Sequence, residues 1–561
     1  MKITLYSATL AAIYYVSPLS AFSGTVVSTA AKSDSATDSS AVVRTKECIV
    51  VGGGPVGLAA ALTLSNPPHS YNVTVLEQTE MVYKYDATRA YLYNVNPRGL
   101  TWCDTFPKVS EKLAERGSFP EAGVSKLVYV PADPAEPVPP GKKFQLSGTL
   151  EIKSRRNYWI PRHSMVLILH ECCKEQEEER LKTKNASIGK IELVYGKKLE
   201  SLETDAQDIL TAKCTDGSTY TASLVIGADG MDSSVRACLA DKTESSWLQS
   251  KPTLFMVRRY KSPATGLKLK ALQFPPNFTI PNTTDTNIVT LPESMYVLQS
   301  VNNRPRNKVR VGFLPMKDST LIRPGNTNTR PDHEIWSLRT GPEIKEFYTK
   351  AFPRMNWDAV ISDDEWDRFA KANGTTFPYC QYSPGSAMPS PSRDTGVVLV
   401  GDACHAFPPD IGQGINAGFL DVVALDRVLR RRDIVSGQLM EHENDQPWKL
   451  GDALEAYQRN RGPEHKALIQ LARCGAPYQY RQSWRRDQVG AFFWTLNAAV
   501  RTILNKVTFG LVPPIAIMLC QNHDLTFRQV MRRAHFGAIS LKVAALLVLM
   551  RLILRRFAVP V

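Results

Sequence analysis

The hydrophobic runs of this chain are short, and glycines or acids punctuate them. Glu47–Val51 (ECIVV) has strand length and runs directly into Gly52-Gly53-Gly54-Pro55-Val56-Gly57. The small-residue stretch LAAALTLS then reads as a helix, and Val73–Glu77 (VTVLE) as a second strand that ends in an acid. Two later apolar strands behave alike. One delivers Ala228-Asp229-Gly230 within LVIGADGMDSSVR, the other Gly401-Asp402 within VVLVGDACHAFPPDIGQGINAGFLD. In the second, a Pro-containing loop meets Gly412-Gln413-Gly414 and opens a helix at about Asn416. Residues 160–185 read as a long charged helix and 450–505 as a further helical segment. Met295–Val301 and Lys308–Leu314, around the turn NNRPRN, show β-rich patterning and predict a sheet between about 240 and 390. Pro131–Gly141 (PADPAEPVPPG) predicts a surface excursion, because proline brings no N–H to a sheet and disrupts a helix. The class this pattern predicts is α/β.

Both ends depart from that pattern. Lys2 precedes an apolar stretch to about Val16, and Ser20 and Ala21 precede Phe22, as in a secretory signal peptide. Residues 23–43, rich in Ser, Thr, Ala and Asp, show no periodicity and read as a disordered leader. Together they resemble the two-part plastid address of algae with secondary plastids; a short anchor is the alternative. Toward the other end, Val507–Cys520 (VTFGLVPPIAIMLC) is apolar but interrupted by Pro513 and Pro514. Residues 539–554 (ISLKVAALLVLMRLIL) follow, with Val543–Met550 an unbroken apolar run. Crossing hydrocarbon takes about 20 residues at about 1.5 Å each. Residues 539–559 reach that length if Lys542 and the flanking arginines extend toward the headgroups. A single membrane anchor and a half-buried interfacial helix both satisfy this pattern.

Composition adds exclusions. At 43% hydrophobic and 22% charged, the chain is neither disordered nor collagenous, and its spread of charge disfavours a polytopic membrane protein. Its 561 residues leave room for two to four domains. Lys plus Arg number 68 against 54 Asp plus Glu, a formal charge of +14. Part of that excess sits in the tail, at Arg528, Arg532, Arg533, Lys542 and Arg551, where it suits an anionic membrane surface. No zinc-finger spacing or aromatic-basic platform favours nucleic acid as a partner. The ten cysteines are scattered without a CxxC, which predicts buried free thiols rather than a disulfide framework or a metal site.

The first glycine turn carries specific chemistry. Strand, glycine turn, helix, strand and acid form the βαβ context of a dinucleotide site. Gly52 permits the tight turn, Gly54 the approach of a pyrophosphate to the backbone, and Gly57 close packing of helix on sheet. The helix N-terminus offers N–H groups to phosphate. Glu77, 20 residues after Gly57, is placed to accept ribose hydroxyls and would repel a 2′-phosphate, so the site suits FAD or NAD.

With the two later motifs, the set resembles the group A flavoprotein monooxygenases of the aromatic-hydroxylase type, from residue 46 to about 475. Gly52, Gly54, Gly57 and Glu77 match that family's dinucleotide fingerprint, Asp229 and Gly230 its DG motif, and Gly401 and Asp402 its GD motif. Arg89 matches the arginine after the second strand, and Arg162, followed by Met165 and Leu169, resembles its FAD-contacting helix. Pro409 matches the proline beside the flavin, and Gly412 and Gly414 the glycines of the active-site loop. Within the family the chain is most similar to the kynurenine 3-monooxygenase branch. Arg98-Gly99, the run Gly412–Asp421, Arg461, Pro463 and the tail all carry that likeness.

The resemblance implies a Rossmann-like FAD-binding domain, an interleaved β-rich substrate domain and a C-terminal helical, membrane-associated tail. It implies boundaries at 1–43 (leader), 44–240 and 391–435 (FAD-binding), 241–390 (substrate), 436–505 (helical) and 506–561 (tail). It further implies FAD, with NADPH as a transient cosubstrate, O2, and hydroxylation of a small aromatic substrate, L-kynurenine to 3-hydroxykynurenine first among them. Asn416, Pro409 and Tyr158 are the expected catalytic-site residues. His405 is expected as a structural partner of the GD loop, Cys404 as a packing residue, and Asp410 either near the flavin or turned to solvent. The location implied is the mitochondrial outer membrane, whereas the N-terminal segment points to endoplasmic reticulum or plastid.

Substrate contacts depart from that branch. Where it carries an arginine for the amino-acid carboxylate, this chain reads PEAGVSKLVYV, with Lys126 and no arginine. Tyr158 is offset by about two residues from one expected tyrosine, and Tyr478 or Tyr480 replaces the other only with an insertion. A hydroxylase or epoxidase of another, lipophilic ring compound therefore stays open, as does an FAD-binding protein without hydroxylase activity.

Overall fold

Glu47–Val51 is buried on both faces, as expected for a central parallel strand, and this explains its unbroken hydrophobic run. Cys48 and Val50 point into one core, Ile49 and Val51 into another. In the computed structural model this strand pairs in parallel with Asn72–Glu77 on one side and Leu224–Gly227 on the other. Ile191–Tyr195 and Gly396–Leu399 extend the sheet in parallel, and Ala387–Pro389 closes one edge antiparallel. The order is 387–389, 396–399, 224–227, 47–51, 72–77, 191–195. On the first face pack the helices Pro55–Ser65, Arg162–Thr183 and Gly414–Leu429. The second face is covered by the antiparallel strands Leu199–Thr204, Leu210–Cys214 and Thr219–Ala222.

The structure describes residues 46–81, 91–119, 126–143, 156–241, 252–283, 287–291, 293–301, 308–434, 436–440 and 447–557. The leader 1–43, Arg89 and the turn 302–307 lie outside them. Thr45–Val561 forms one compact unit.

A second, seven-stranded sheet runs 375–376, 268–274, 323–329, 310–313, 295–299, 126–130, 142–143. Its core side packs against the helices Gly341–Ala351, Trp357–Val360 and Asp363–Lys371 around Tyr348, Trp357 and Trp366. These helices were not legible in the β-rich reading of the region. Nor does the sheet stop at residue 241. Lys126–Val130, from the stretch assigned to the FAD-binding part, pairs in parallel with Met295–Gln299. Pro131–Gly141 is the expected surface excursion, pinned by Arg354, which donates to the carbonyl oxygens of Pro131, Asp133 and Glu136.

The helical segment expected at 450–505 is two helices, Leu450–Cys474 and Arg485–Val507. Beyond them the tail divides. Ala516–Cys520 and the first turns of the helix Phe527–Phe557 are buried against the body. The sequence places Val507–Cys520 in a membrane-associated tail. The structure instead buries its second half, because Arg98 and Arg501 bind the carbonyl groups around it. From Phe536 onward the helix exposes Ile539, Val543, Leu546, Leu549 and Ile553. Its stretch Phe527–Arg551 has the length and composition to cross a membrane. All ten cysteines are free, and eight are buried.

Candidate functional site

Three parallel strands end at one edge of the central sheet, so motifs remote in sequence arrive together. Val51 leads into Gly52, Gly227 into Ala228-Asp229, and Leu399 into Val400-Gly401-Asp402. In open parallel sheets ligands sit beyond this carboxyl edge. A cavity of about 3670 Å³ opens there, lined by Gly52, Gly54, Glu77, Arg162, Asp229, Gly230 and Asp402. It continues past Pro409, Gly412 and Gly414 to the seven-stranded sheet, where Leu127, Tyr129, Met295, Val297 and Asn326 line it. Small-molecule sites commonly occupy about 300–1,000 Å³, so a dinucleotide and a second ligand fit together.

The glycines separate into two kinds. Gly52 has φ +108°, and a Cβ there would stand 2.5 Å from the Ala228 carbonyl oxygen. A Cβ on Gly57 would overlap the Gly52 carbonyl oxygen, so the fold itself requires both. Gly54 is different, because a Cβ there meets nothing within 4 Å. The room in front of it belongs to the cavity. Gly54 is also the N-cap of Pro55–Ser65, where no side chain caps the first turn. Backbone N–H groups and the positive end of the helix are therefore available to an anion at this point. Gly412 (φ +58°) and Gly414 likewise have open space where a Cβ would stand. These features fit the pyrophosphate and ring system of a flavin dinucleotide.

The acids fit as well. Glu77 accepts from the Gly53 N–H at 2.7 Å and the Thr79 N–H at 2.9 Å, and a carboxylate has lone pairs left for ribose hydroxyls. Asp229 Oδ2 accepts the N–H groups of Ser234 and Val235, capping the helix Ser234–Ala240. Its Oδ1 is buried with no partner among the described residues. Asp402 opens onto the cavity, and the protein packed around that cavity raises its carboxyl above the ordinary range, opposed by the charges of His405 and Arg162. Arg236 holds the two acidic loops in one place, donating to the carbonyl oxygens of Ala403 at 2.5 Å and Met231 at 2.7 Å.

Behind the cavity lies a buried polar hub. Asp421 Oδ2 accepts from the Gly401 N–H and contacts His405 Nε2 at 2.8 Å. Its Oδ1 receives Arg461 Nε at 2.8 Å and lies 2.9 Å from His465 Nε2. Burial opposes ionisation of Asp421, but Arg461, His465 and His405 prevail and hold it well below the usual carboxylate range. Burial also pushes His465 down to about 4, against the pull of Asp421. His405, Asp421 and His465 converge as metal ligands would. The Arg461 guanidinium, however, shares the oxygen that His465 faces, so a cation already neutralises it. The hub binds the GD loop to the helices Gly414–Leu429 and Leu450–Cys474.

Two expected catalytic-site residues stand elsewhere. Asn416 is fully buried and does not line the cavity. It donates to the carbonyl oxygens of Asn94 and Gly412 and accepts from the Asn96 N–H, so it acts by fastening the glycine loop to Leu92–Val95. A Cβ on Gly99 would collide with it. Tyr158 packs in the core beside Phe119, while its neighbours Asn157 and Trp159 line the cavity. The reason is strand alternation: Tyr158–Pro161 presents successive side chains to opposite faces, and Trp159 was the signal missed. Pro409 lines the cavity. Lys126 is exposed and outside the lining, whereas Tyr478 and Tyr480 are both within it.

The FAD binding domain family matches residues 45–271 and 294–432. A kynurenine 3-monooxygenase of Saccharomyces cerevisiae is 23% identical over 61% of this chain and 65% of its own length. An FAD-dependent monooxygenase of Penicillium canescens is 23% identical over 55% of this chain and 60% of its own. A kynurenine 3-monooxygenase of Cryptococcus neoformans is 24% identical over 76% of this chain and 77% of its own. The chain thus spans less than two thirds of the length of the first two.

Proposed function

The chain belongs to the FAD-binding-domain family of the group A flavoprotein monooxygenases, and on that premise we propose that it uses FAD, NADPH and O2 to insert one oxygen atom into an aromatic ring. The observation that carries this reading is the convergence of the Gly52–Gly57 turn, Asp229 and Asp402 on one cavity that continues onto a second sheet.

Bound FAD supplies the redox chemistry, taking electrons from NADPH and activating oxygen. The protein's share is to bind, orient and exclude water. The Gly54–Pro55 helix start would hold the pyrophosphate, and Glu77 would accept the ribose hydroxyls. Asp229, Asp402 and Arg162 line the cavity where the rest of the cofactor would lie. Pro409 and the N–H groups around Gly412–Gly414, which line the cavity, would border the reacting ring, and Asn416 fixes that loop from behind. The second sheet lines the cavity with apolar side chains such as Leu127, Met295 and Val297 among the polar Arg310, Asn326 and Asn328, and the apolar ones would keep water from the reacting atoms. The exposed apolar helix beyond Phe536, with Lys542 and Arg551 beside it, seats the enzyme on a membrane.

L-kynurenine is the first substrate to test, because the likeness of the Gly412–Asp421 run and of the tail points to that branch. A second reading, a lipophilic ring, is favoured by Leu127, Met295 and Val297 on the cavity wall with Lys126 turned out of it, whereas Lys308 and Arg310 on the same cavity favour a ring that bears a carboxylate. The experiment is aerobic NADPH oxidation by the detergent-solubilised protein, with product mass as readout. A kynurenine product heavier by one oxygen supports the first reading. FAD-bound protein that oxidises NADPH but leaves kynurenine intact directs the search to lipophilic rings. Bound FAD with no NADPH oxidation, with or without a ring compound, overturns the enzyme reading.

A further inference from the structure

The seven-stranded sheet turns one face to the cavity, and no Asp or Glu stands in any of its strands. The acids that line the cavity, Glu77, Asp229, Asp232, Asp402 and Asp410, all come from the dinucleotide-binding segments. The cations of the sheet divide by facing. Lys270 donates to the carbonyl oxygen of Phe369 and Arg323 to that of Ser294, both on the core side. Lys126 is exposed but outside the lining. Among the described strand residues, Arg310 is the cation that lines the cavity, and Lys308, two positions before it, lines it too.

Strand alternation accounts for that placement. Val309, Val311 and Phe313 enter the core beneath the sheet, so Lys308, Arg310 and Gly312 take the opposite face. Arg310 is exposed and Lys308 half-buried, and neither side chain has a hydrogen bond or ion pair with a described residue. Their N–H donors are open to the cavity. A free guanidinium offers a carboxylate two parallel N–H groups, and a second cation nearby adds to the attraction.

A seat for a flat ring adjoins this cationic corner. Gly312 pairs with Val297 on one side and Asn326 on the other. A Cβ there would meet only the Asn326 carbonyl oxygen, at 3.9 Å, so the space above Gly312 belongs to the cavity. Val297 and Met295 wall that space with apolar surface, and Asn326 and Asn328 with amides. The next pair in the register sets Asn328 beside Arg310. Two residues of strand separate Gly312 from Arg310, about 7 Å, which an arginine side chain spans.

We propose that Arg310, assisted by Lys308, binds a carboxylate of the aromatic substrate while the ring lies over Gly312 between Val297 and Asn326. The inference rests on the monooxygenase reading and deepens it, by assigning the anchor and narrowing the substrate to rings that carry an anionic group.

The test is calorimetric titration of the full chain, with and without FAD, as wild type, Arg310→Gln, Arg310→Lys, Gly312→Val and Lys126→Gln. The probes at pH 8 are 2-naphthoate, its neutral amide 2-naphthamide, and adenosine 2′,5′-bisphosphate, which presents phosphates like those of NADPH. Wild type and Lys126→Gln are expected to bind 2-naphthoate about tenfold or more tighter than the amide. Arg310→Gln should bring the two to within about twofold at unchanged Tm, because the side chain holds nothing in the fold. Arg310→Lys should keep part of the preference, a charge without the planar fork. Gly312→Val should weaken both naphthyl probes alike. A tenfold preference that survives in Arg310→Gln overturns the proposal, as does equal or absent binding of the naphthyl probes by wild type. A loss in Arg310→Gln confined to the bisphosphate also overturns it, since the corner would then serve the cosubstrate. FAD content and NADPH-driven bleaching of the flavin are read on the same samples. Their failure in wild type sinks the monooxygenase reading, whereas the naphthoate comparison decides the role of Arg310 in either case.

Discussion

Arg98 Nη1 donates to the carbonyl oxygen of Cys520 at 2.8 Å, across 422 positions of sequence. Its Nη2 reaches the carbonyl oxygens of Asn522 and Leu525, both at 3.0 Å, and the guanidinium lies 5.1 Å from the Phe527 ring. One buried side chain thus satisfies the backbone between two tail helices. Arg98→Met should cost about 3 kcal/mol or more, since three carbonyl groups lose a charged donor in a buried site. The check is Tm together with limited proteolysis, which should open cleavage within 508–530. Arg98→Lys should fall between, because an ammonium cannot reproduce the planar fork.

Gly54→Ala and Gly57→Ala should fail in different ways. A methyl at 54 meets no protein atom, so the apoprotein should keep its Tm while FAD affinity drops about tenfold or more. A methyl at 57 collides with the Gly52 carbonyl, so stability should fall before any ligand is added. Apoprotein melting and FAD titration separate the two.

Stability should depend on pH through Asp410. Its carboxyl is raised from 3.8 to about 7, so the folded state holds a proton that the unfolded chain releases. Between those values stability falls as pH rises, by up to about 4 kcal/mol, and the loss is complete above pH 7. Asp410→Asn removes the penalty. Its Tm should exceed that of wild type at pH 8, and the difference should shrink toward zero near pH 4.

Tyr158 and Trp159 should exchange the roles expected from sequence. Tyr158→Ala empties a core position and should cost about 3–5 kcal/mol. Trp159→Ala removes cavity wall, so it should weaken ligand binding with a much smaller change in Tm. Urea melts paired with FAD and substrate titrations measure both.

Truncation should divide the tail at its burial boundary. Removing residues 541–561 takes away exposed apolar helix, and should release the protein from anionic vesicles while preserving FAD binding. Removing 508–561 also strips Arg98 and Arg501 of their carbonyl partners, and should yield a protein that melts early or aggregates. Vesicle co-sedimentation and Tm give the two readouts.

Much of this was legible in one dimension. A strand, a glycine at φ +108° and a helix follow one another directly over Glu47–Ser65, so local backbone demands write themselves into local spacing. The same holds for Asp229 and Asp402, each delivered by the strand just before it. That alone placed the dinucleotide turn, both acidic motifs and the family. What sequence could not show was which side of an element a residue serves. Tyr158 rather than Trp159, and Asn416 as a contact rather than a fastener, were errors of facing. The strand 126–130 joined a sheet formed mostly 140–200 residues later, and the apolar Ala516–Cys520 met Arg98 rather than lipid. Burial is a relation between segments, whereas hydrophobicity belongs to one segment alone. An apolar run or a lone aspartate therefore announces that it will be covered or left unpaired only when its neighbours in space are known.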